Sequence, residues 1–199
     1  LIKVYLDKGS QSDFHPPGFV YMSPGALEHH GMLIVLIQDK GTIRCGVWSW
    51  RAVANEGLER GSQIPYVRWA LGESCAVLLM NPNEGAMAPE EHVQQVWDQL
   101  LLNSTAEQIT VVAHGYGGLA FVQLLNRLVG YLKVGCRMMS AGTQCHETAP
   151  ATCMDSVFRF IAKLMKPAVM PTPFCIVTRS RSLGVRKLSG ITDRNNNAS

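Results

Sequence analysis

Ile109-Thr-Val-Val-Ala-His-Gly-Tyr-Gly-Gly-Leu-Ala-Phe-Val-Gln-Leu-Leu125 is the stretch whose reading decides the fold. Its opening residues are rich in β-branched types and read as a buried strand. A glycine-rich turn follows at Gly115 to Gly118, and apolar residues then recur at helical spacing through Phe121, Val122, Leu125, Leu128, Val129 and Leu132. The plan is strand, sharp turn, helix. Such a turn serves either as a nucleophile elbow of the form G-x-S-x-G or as a phosphate-cradling G-x-G-x-x-G/A loop.

Working outward, Met32-Leu-Ile-Val-Leu-Ile37 and Ala76-Val-Leu-Leu-Met80 are continuous apolar runs, the pattern of strands buried on both faces. Ser62 to Leu71 is predicted to be a helix with Pro65 in its first turn. Pro89 opens another, whose stripe is Val93, Val96, Trp97, Leu100 and Leu101. Strands alternating with helices predict a parallel sheet covered on both faces, with the turns at Gln38, Asn81 and His114 sharing its carboxyl edge. Leu1 to Leu6 reads as an edge strand, Phe19-Val-Tyr-Met22 as a second, and Ser23-Pro-Gly-Ala as the start of a short helix ending near His29-His30. A last amphipathic helix is expected over Met154 to Met165. Lys133 to Met139 leaves too little chain for a further strand and helix, so the fold class is an α/β-hydrolase-like parallel sheet lacking a late strand-helix segment.

Composition sets the remaining bounds. A chain of 199 residues with 47% apolar and 17% charged residues is a globular domain with a sizeable core. The organisation expected is a domain over residues 1–165 and a basic, poorly ordered tail over 166–199, in which Phe174-Cys-Ile-Val could pair as an edge strand. From Lys163 onward there are seven basic residues against Asp193, so the body is acidic and the net charge of +3 resides in the tail. Arg179-Ser-Arg-Ser182 could touch nucleic acid or acidic partners. Six cysteines without a CxxC pair read as free thiols, and no apolar run is long enough to span a membrane. The chain begins at Leu1 on a strand pattern and is expected to be a piece of a longer protein.

The chemistry of the turn is decided by its centre. Elbow context is complete on both sides, and His146 arrives from a later loop as a triad histidine would. The nucleophile position, however, is Gly115, which has neither hydroxyl nor thiol. The nucleotide reading fits Gly115-x-Gly117-x-x-Ala120 in form. It lacks the acidic residue expected about 20 positions on, since Lys133 to Met139 carries no carboxylate. The pair His29-His30 has no third ligand nearby, because neighbouring helical residues diverge by about 100°. No metal and no cofactor are expected. Asn103-Ser-Thr105 is a chance glycosylation triplet, and the four tryptophans read as packing residues.

The sequence resembles the Arb-two domain family, α/β-hydrolase-like proteins that include cotranscriptional regulators of the sequence-similarity-172 group. The resemblance runs through Phe19-Val-Tyr-Met-Ser, Leu33-Ile-Val-Leu-Ile, Gly61-Ser-Gln-Ile-Pro-Tyr, Leu79-Met-Asn-Pro-Asn, Pro89-Glu-Glu-His-Val, Val112-Ala-His-Gly-Tyr-Gly-Gly-Leu, Ser140-Ala-Gly-Thr-Gln-Cys-His-Glu and Lys166-Pro-Ala-Val. The family pattern resembles A-H-S-Y-G-G at the elbow and H-G-S-G after the first central strand. Here Gly115 takes the serine's place, and Gln38-Asp39-Lys40-Gly41 stands at the other turn. Loss of the nucleophile typically costs about 10⁶ in kcat. The expectation is therefore a pseudoenzyme with a vestigial site of His114, Gly115, Tyr116, Gly117 and His146. Gly115→Ser should cost roughly 1 kcal/mol and restore no esterase activity. The resemblance implies Argonaute and chromatin or splicing partners, with nuclear and cytoplasmic populations. Two alternatives stay open: a residual hydrolase using Ser140, Cys136 or Cys145 with His146, and the poorly folding product of a degenerate gene copy. Convergence of Gly115, His146 and the Gln38 turn on one pocket with no carboxylate or nucleophile nearby would support ancestry and inactivity together.

Overall fold

Met32–Ile37 forms a strand in which all six residues are buried. Alternate side chains enter opposite cores, Leu33, Val35 and Ile37 into one and Met32, Ile34 and Leu36 into the other, as the period-two geometry of a strand requires. The computed structural model describes residues 1–7, 16–84, 87–128, 135–140, 142–166 and 174–179. Along it lie β1 (Ile2–Tyr5), β2 (Phe19–Met22), β3 (Met32–Ile37), α1 (Trp50–Glu56), α2 (Leu58–Gly61), α3 (Ile64–Gly72), β4 (Ala76–Leu79), α4 (Pro89–Gln99), β5 (Gln108–His114), α5 (Tyr116–Leu128), β6 (Gly135–Ser140), α6 (Ala149–Leu164) and β7 (Phe174–Arg179).

The seven strands make one sheet in the order β1-β2-β4-β3-β5-β7-β6. The first two pairings are antiparallel and the other four parallel. The parallel strands therefore deliver their carboxyl ends to a single edge. One face is covered by α4 and α5 through Val93, Val96, Trp97, Phe121, Leu124 and Leu125. The other is covered by α3 and α6 through Tyr66, Ala70, Cys153, Val157 and Ile161. Trp69 stacks on Phe158 with centroids 4.4 Å apart, and the buried Tyr66 hydroxyl donates to the Pro150 carbonyl at 2.8 Å, which fastens α3 to α6. Among the described residues no helix is long and apolar enough to cross a membrane.

Several local expectations are corrected. Ser23 to His30 is turn and bend, not helix. The Ser23 N–H donates to the Val77 carbonyl at 2.9 Å and its hydroxyl accepts the Val77 N–H at 3.1 Å, so β4 claims the groups that would have capped a helix. Helices α1 and α2 were not read from the sequence; Ser49 caps the first by accepting the Ala52 N–H at 3.3 Å. The last helix starts at Ala149, five residues before Met154, because Pro150 suits a first turn. Of the strand and helix for which Lys133 to Met139 leaves too little chain, the strand is present, over residues 135–140. β6 sits at the sheet edge and pairs with β7 alone, so its ladder comes from a neighbour and needs no two-faced apolar pattern. Phe174–Arg179 also pairs, but between β5 and β6 and not as an edge strand. The expected end of the elbow helix at Leu132 and the rest of the tail lie outside the described residues.

One buried histidine ties the second face-covering helix to the functional edge. His92 of α4 is 1% exposed and its Nε2 accepts the Asn81 N–H at 3.1 Å, which requires the neutral ring. Burial pushes its pKa down from 6.5 to about 4. The unfolded chain therefore binds more protons than the folded one between those values, so stability is fully present above 6.5 and is lost as pH falls toward 4. Urea midpoints measured near pH 7 and near pH 5 are expected to fall with acidification in the parent chain. They should fall less in His92→Gln, whose amide oxygen can still accept the Asn81 N–H.

A filled elbow at the carboxyl edge of the sheet

Three strand ends build the site. β3 runs into Gln38–Gly41, β4 into Asn81–Glu84 and β5 into Gly115. Asn83 ties the first two loops together, its Nδ2 donating to the Asp39 and Ile43 carbonyls at 2.7 and 2.9 Å and its Oδ1 accepting the Gly41 N–H at 3.2 Å. The turns at Gln38, Asn81 and His114 thus share one edge, as the parallel order predicts.

Gly115 has φ +55°, a left-handed conformation that glycine adopts without strain, and α5 begins at the next residue. This is elbow geometry. Gly117 is required for a different reason: a Cβ there would run into the Gln38 carbonyl and lie 2.7 Å from Ile37 Cγ2. The helix and the β3 loop pass too closely for any side chain.

At Gly115 the crowding comes from a side chain. A Cβ on that residue would overlap the carboxyl carbon and both oxygens of Asp39. The space into which an elbow side chain would project is thus filled by a carboxylate reaching across from the neighbouring strand. Asp39 Oδ1 accepts the Tyr116 N–H at 2.7 Å and the Lys40 N–H at 2.8 Å, while Oδ2 stands 2.6 Å from His146 Nε2. The Tyr116 N–H is one of the unpaired donors of the α5 N-terminus, where a negative charge is favoured. Burial pulls the Asp39 pKa upward, but the hydrogen bonds from His146, Tyr116 and Lys40 outweigh it and hold the carboxyl below its ordinary 3.8.

His114, 1% exposed, lies beneath this pair. Its ring stacks on His146 with centroids 4.3 Å apart and planes 25° from parallel, and meets Trp48 edge-on at 6.2 Å. Burial, aided by the neighbouring His146, lowers its pKa to about 4 despite the opposing pull of Asp39. The Tyr116 side chain turns away from the elbow, its hydroxyl bonded to Glu90 and its ring beneath the Lys40 ammonium at 4.6 Å.

The structure brings His114, Gly115, Tyr116, Gly117 and His146 together with the Gln38 turn. The condition that would have supported ancestry and inactivity together, convergence with no carboxylate or nucleophile nearby, is not met, because the Asp39 carboxylate stands there. Asp39 entered the sequence reading only as a departure from a turn motif. Its signal was position, a charged residue two places beyond a fully buried strand whose carboxyl end faces the elbow. Of the alternative nucleophiles, Cys145 is exposed and its thiol contacts Glu147 Oε2 at 3.4 Å, with Glu147 in turn paired to Arg51 at 3.0 Å. The side chains of Cys136 and Ser140 lie outside those described.

A mainly parallel sheet, a strand–turn–helix elbow on its third parallel strand in chain order and a histidine brought to it from a late loop define an elbow-bearing α/β domain. The Arb2 domain profile matches residues 1–88 and 84–163, and the chain belongs to that family. It is 26% identical to human ARB2BP over 280 aligned positions, which take in 90% of this chain and 77% of that protein. Since the chain has 199 residues, many of those aligned positions have no counterpart in it. It is 30% identical to the cotranscriptional regulator ARB2A homolog of Xenopus tropicalis across 63% of this chain, and spans 44% of that regulator's length. Among solved structures, a histone deacetylase from Saccharomyces cerevisiae shares the fold, with a TM-score of 0.51 and 13% identity over 81% of this chain and 89% of that one.

The filled elbow raises the expected cost of a side chain at residue 115. Gly115→Ser combines left-handed strain with displacement of Asp39 and is expected to cost about 2–3 kcal/mol, more than strain alone. In an Asp39→Ala background the same change should cost less by about 1 kcal/mol, because the clash is gone. Urea denaturation of the four proteins in this cycle measures the coupling; additive costs would contradict a direct clash.

Proposed function

We propose that this chain is a non-catalytic regulatory domain that works through protein partners in the setting of transcription. The observation carrying the reading is the Asp39 carboxylate at the elbow. It stands where an attacking side chain would project, and it engages the Tyr116 N–H, the donor that follows the nucleophile position and would otherwise hold an oxyanion. Gly115 supplies no attacking atom, and His146 is bonded to the blocking carboxylate. A carboxylate held below its ordinary pKa by three hydrogen bonds is also a poor nucleophile, since its charge is already stabilised in place.

The names of the relatives agree in direction, since the ARB2A homologs are cotranscriptional regulators. We take Argonaute and chromatin- or splicing-linked proteins as the partners, and the nucleus, with a cytoplasmic population, as the place of action. The regulators are more than twice as long as the part this chain matches, so their partner surfaces need not all lie within it.

The enzymatic part is tested with a fluorophosphonate probe and an activated ester. Neither labelling nor turnover is expected from the parent chain or from Gly115→Ser. Labelling that disappears in His146→Ala would overturn the reading in favour of a working hydrolase. The regulatory part is tested by immunoprecipitation of the tagged chain from nuclear extract. Argonaute is expected in the eluate, and its absence would contradict the assignment of partners.

A further inference from the structure

We propose that Asp39, His114 and His146 form a binding site for one divalent transition-metal ion of the zinc type. One ligand atom from each residue lies within 4.8 Å of the other two. Donors about 2.1 Å from a shared ion stand roughly 3–3.5 Å apart, so the set closes by rotation of these side chains with no movement of the backbone required by distance. His146 Nε2 and Asp39 Oδ2 are already at 2.6 Å, and because an imidazole donates in its ring plane, the His146 ring, now stacked on His114 with planes 25° apart, would turn out of that stack to bring both nitrogens to one ion.

The donor types fit this class of ion. Two borderline imidazoles with one hard carboxylate suit zinc and cobalt, whereas magnesium and calcium favour oxygen alone. The surroundings also orient the ligands. Asp39 Oδ1 is held by two backbone N–H groups, from Lys40 and Tyr116, which leaves Oδ2 turned toward the histidines. Such outer hydrogen bonds fix a ligating carboxylate in place. His114 closes β5 and Asp39 stands two residues past the end of β3, while His146 belongs to the loop before α6 and has a side chain 46% exposed. The ion would thus enter from the His146 side and keep an open coordination position there. It would tie the late loop to the two central strands. This requires no nucleophile, so the inference does not depend on the chain being inactive.

The test uses the full chain, stripped with chelator and exchanged into metal-free buffer, and titrated with Co²⁺ and Zn²⁺. The expected result is saturable binding of one equivalent by calorimetry. Co²⁺ should give a visible d–d spectrum without a thiolate charge-transfer band, displaced by Zn²⁺. His146→Ala and Asp39→Asn, both at solvent-reached positions, should weaken binding by at least about tenfold, and His29→Ala should leave it unchanged. Parent chain that melts cooperatively yet binds no equivalent of either ion would overturn the proposal. So would binding that survives both site variants, or a thiolate band placing the ion on cysteine.

Discussion

The hydrogen bond from the Tyr116 amide to Asp39 is the contact around which the carboxyl edge of this domain is arranged. It joins two central strands at their ends, satisfies a donor that the start of α5 leaves unpaired, and places a negative charge where the helix dipole favours one. It also decides what the elbow can hold. With the carboxylate in that position there is no volume for a side chain on residue 115, and glycine is demanded by the neighbour as well as by the backbone angle of +55°. The glycine at residue 115 and the presence of Asp39 are thus a single structural fact.

That fact depends on the sheet. Parallel pairing of β4, β3, β5, β7 and β6 brings the loops after the first three of these to one edge, and the close approach of α5 to the β3 loop at Gly117 sets how far Asp39 must reach. The packed faces on either side hold this spacing. His92 braces the β4 loop from α4, and Tyr66 binds α3 to the start of α6, the helix that carries the His146 loop. The site is a joint result of both cores, so weakening either one should disturb it.

Much of this was legible in the residues alone. A strand buried on both faces announces itself as an unbroken apolar run, as Met32–Ile37 does, and the half-buried Phe19–Met22 also has the bounds that its pattern suggests. The elbow was visible because glycine spacing and the change from β-branched to helical periodicity coincide at one point. What could not be read has physical causes. β6 draws its ladder from β7, a partner distant in sequence, and Ser23 gives to β4 the groups that locally mark a helix start. Asp39 was missed because a clash between residues 39 and 115 exists only once the two strands are adjacent in the sheet.

The central claim is that a carboxylate occupies the elbow, and a high-resolution crystal structure of the chain tests it most directly. The account requires continuous density for Asp39 beside Gly115, with one oxygen near 2.7 Å from the Tyr116 nitrogen and the other within bonding reach of His146. Asp39 turned out to solvent, with water or open space against the Gly115 Cα, would contradict it.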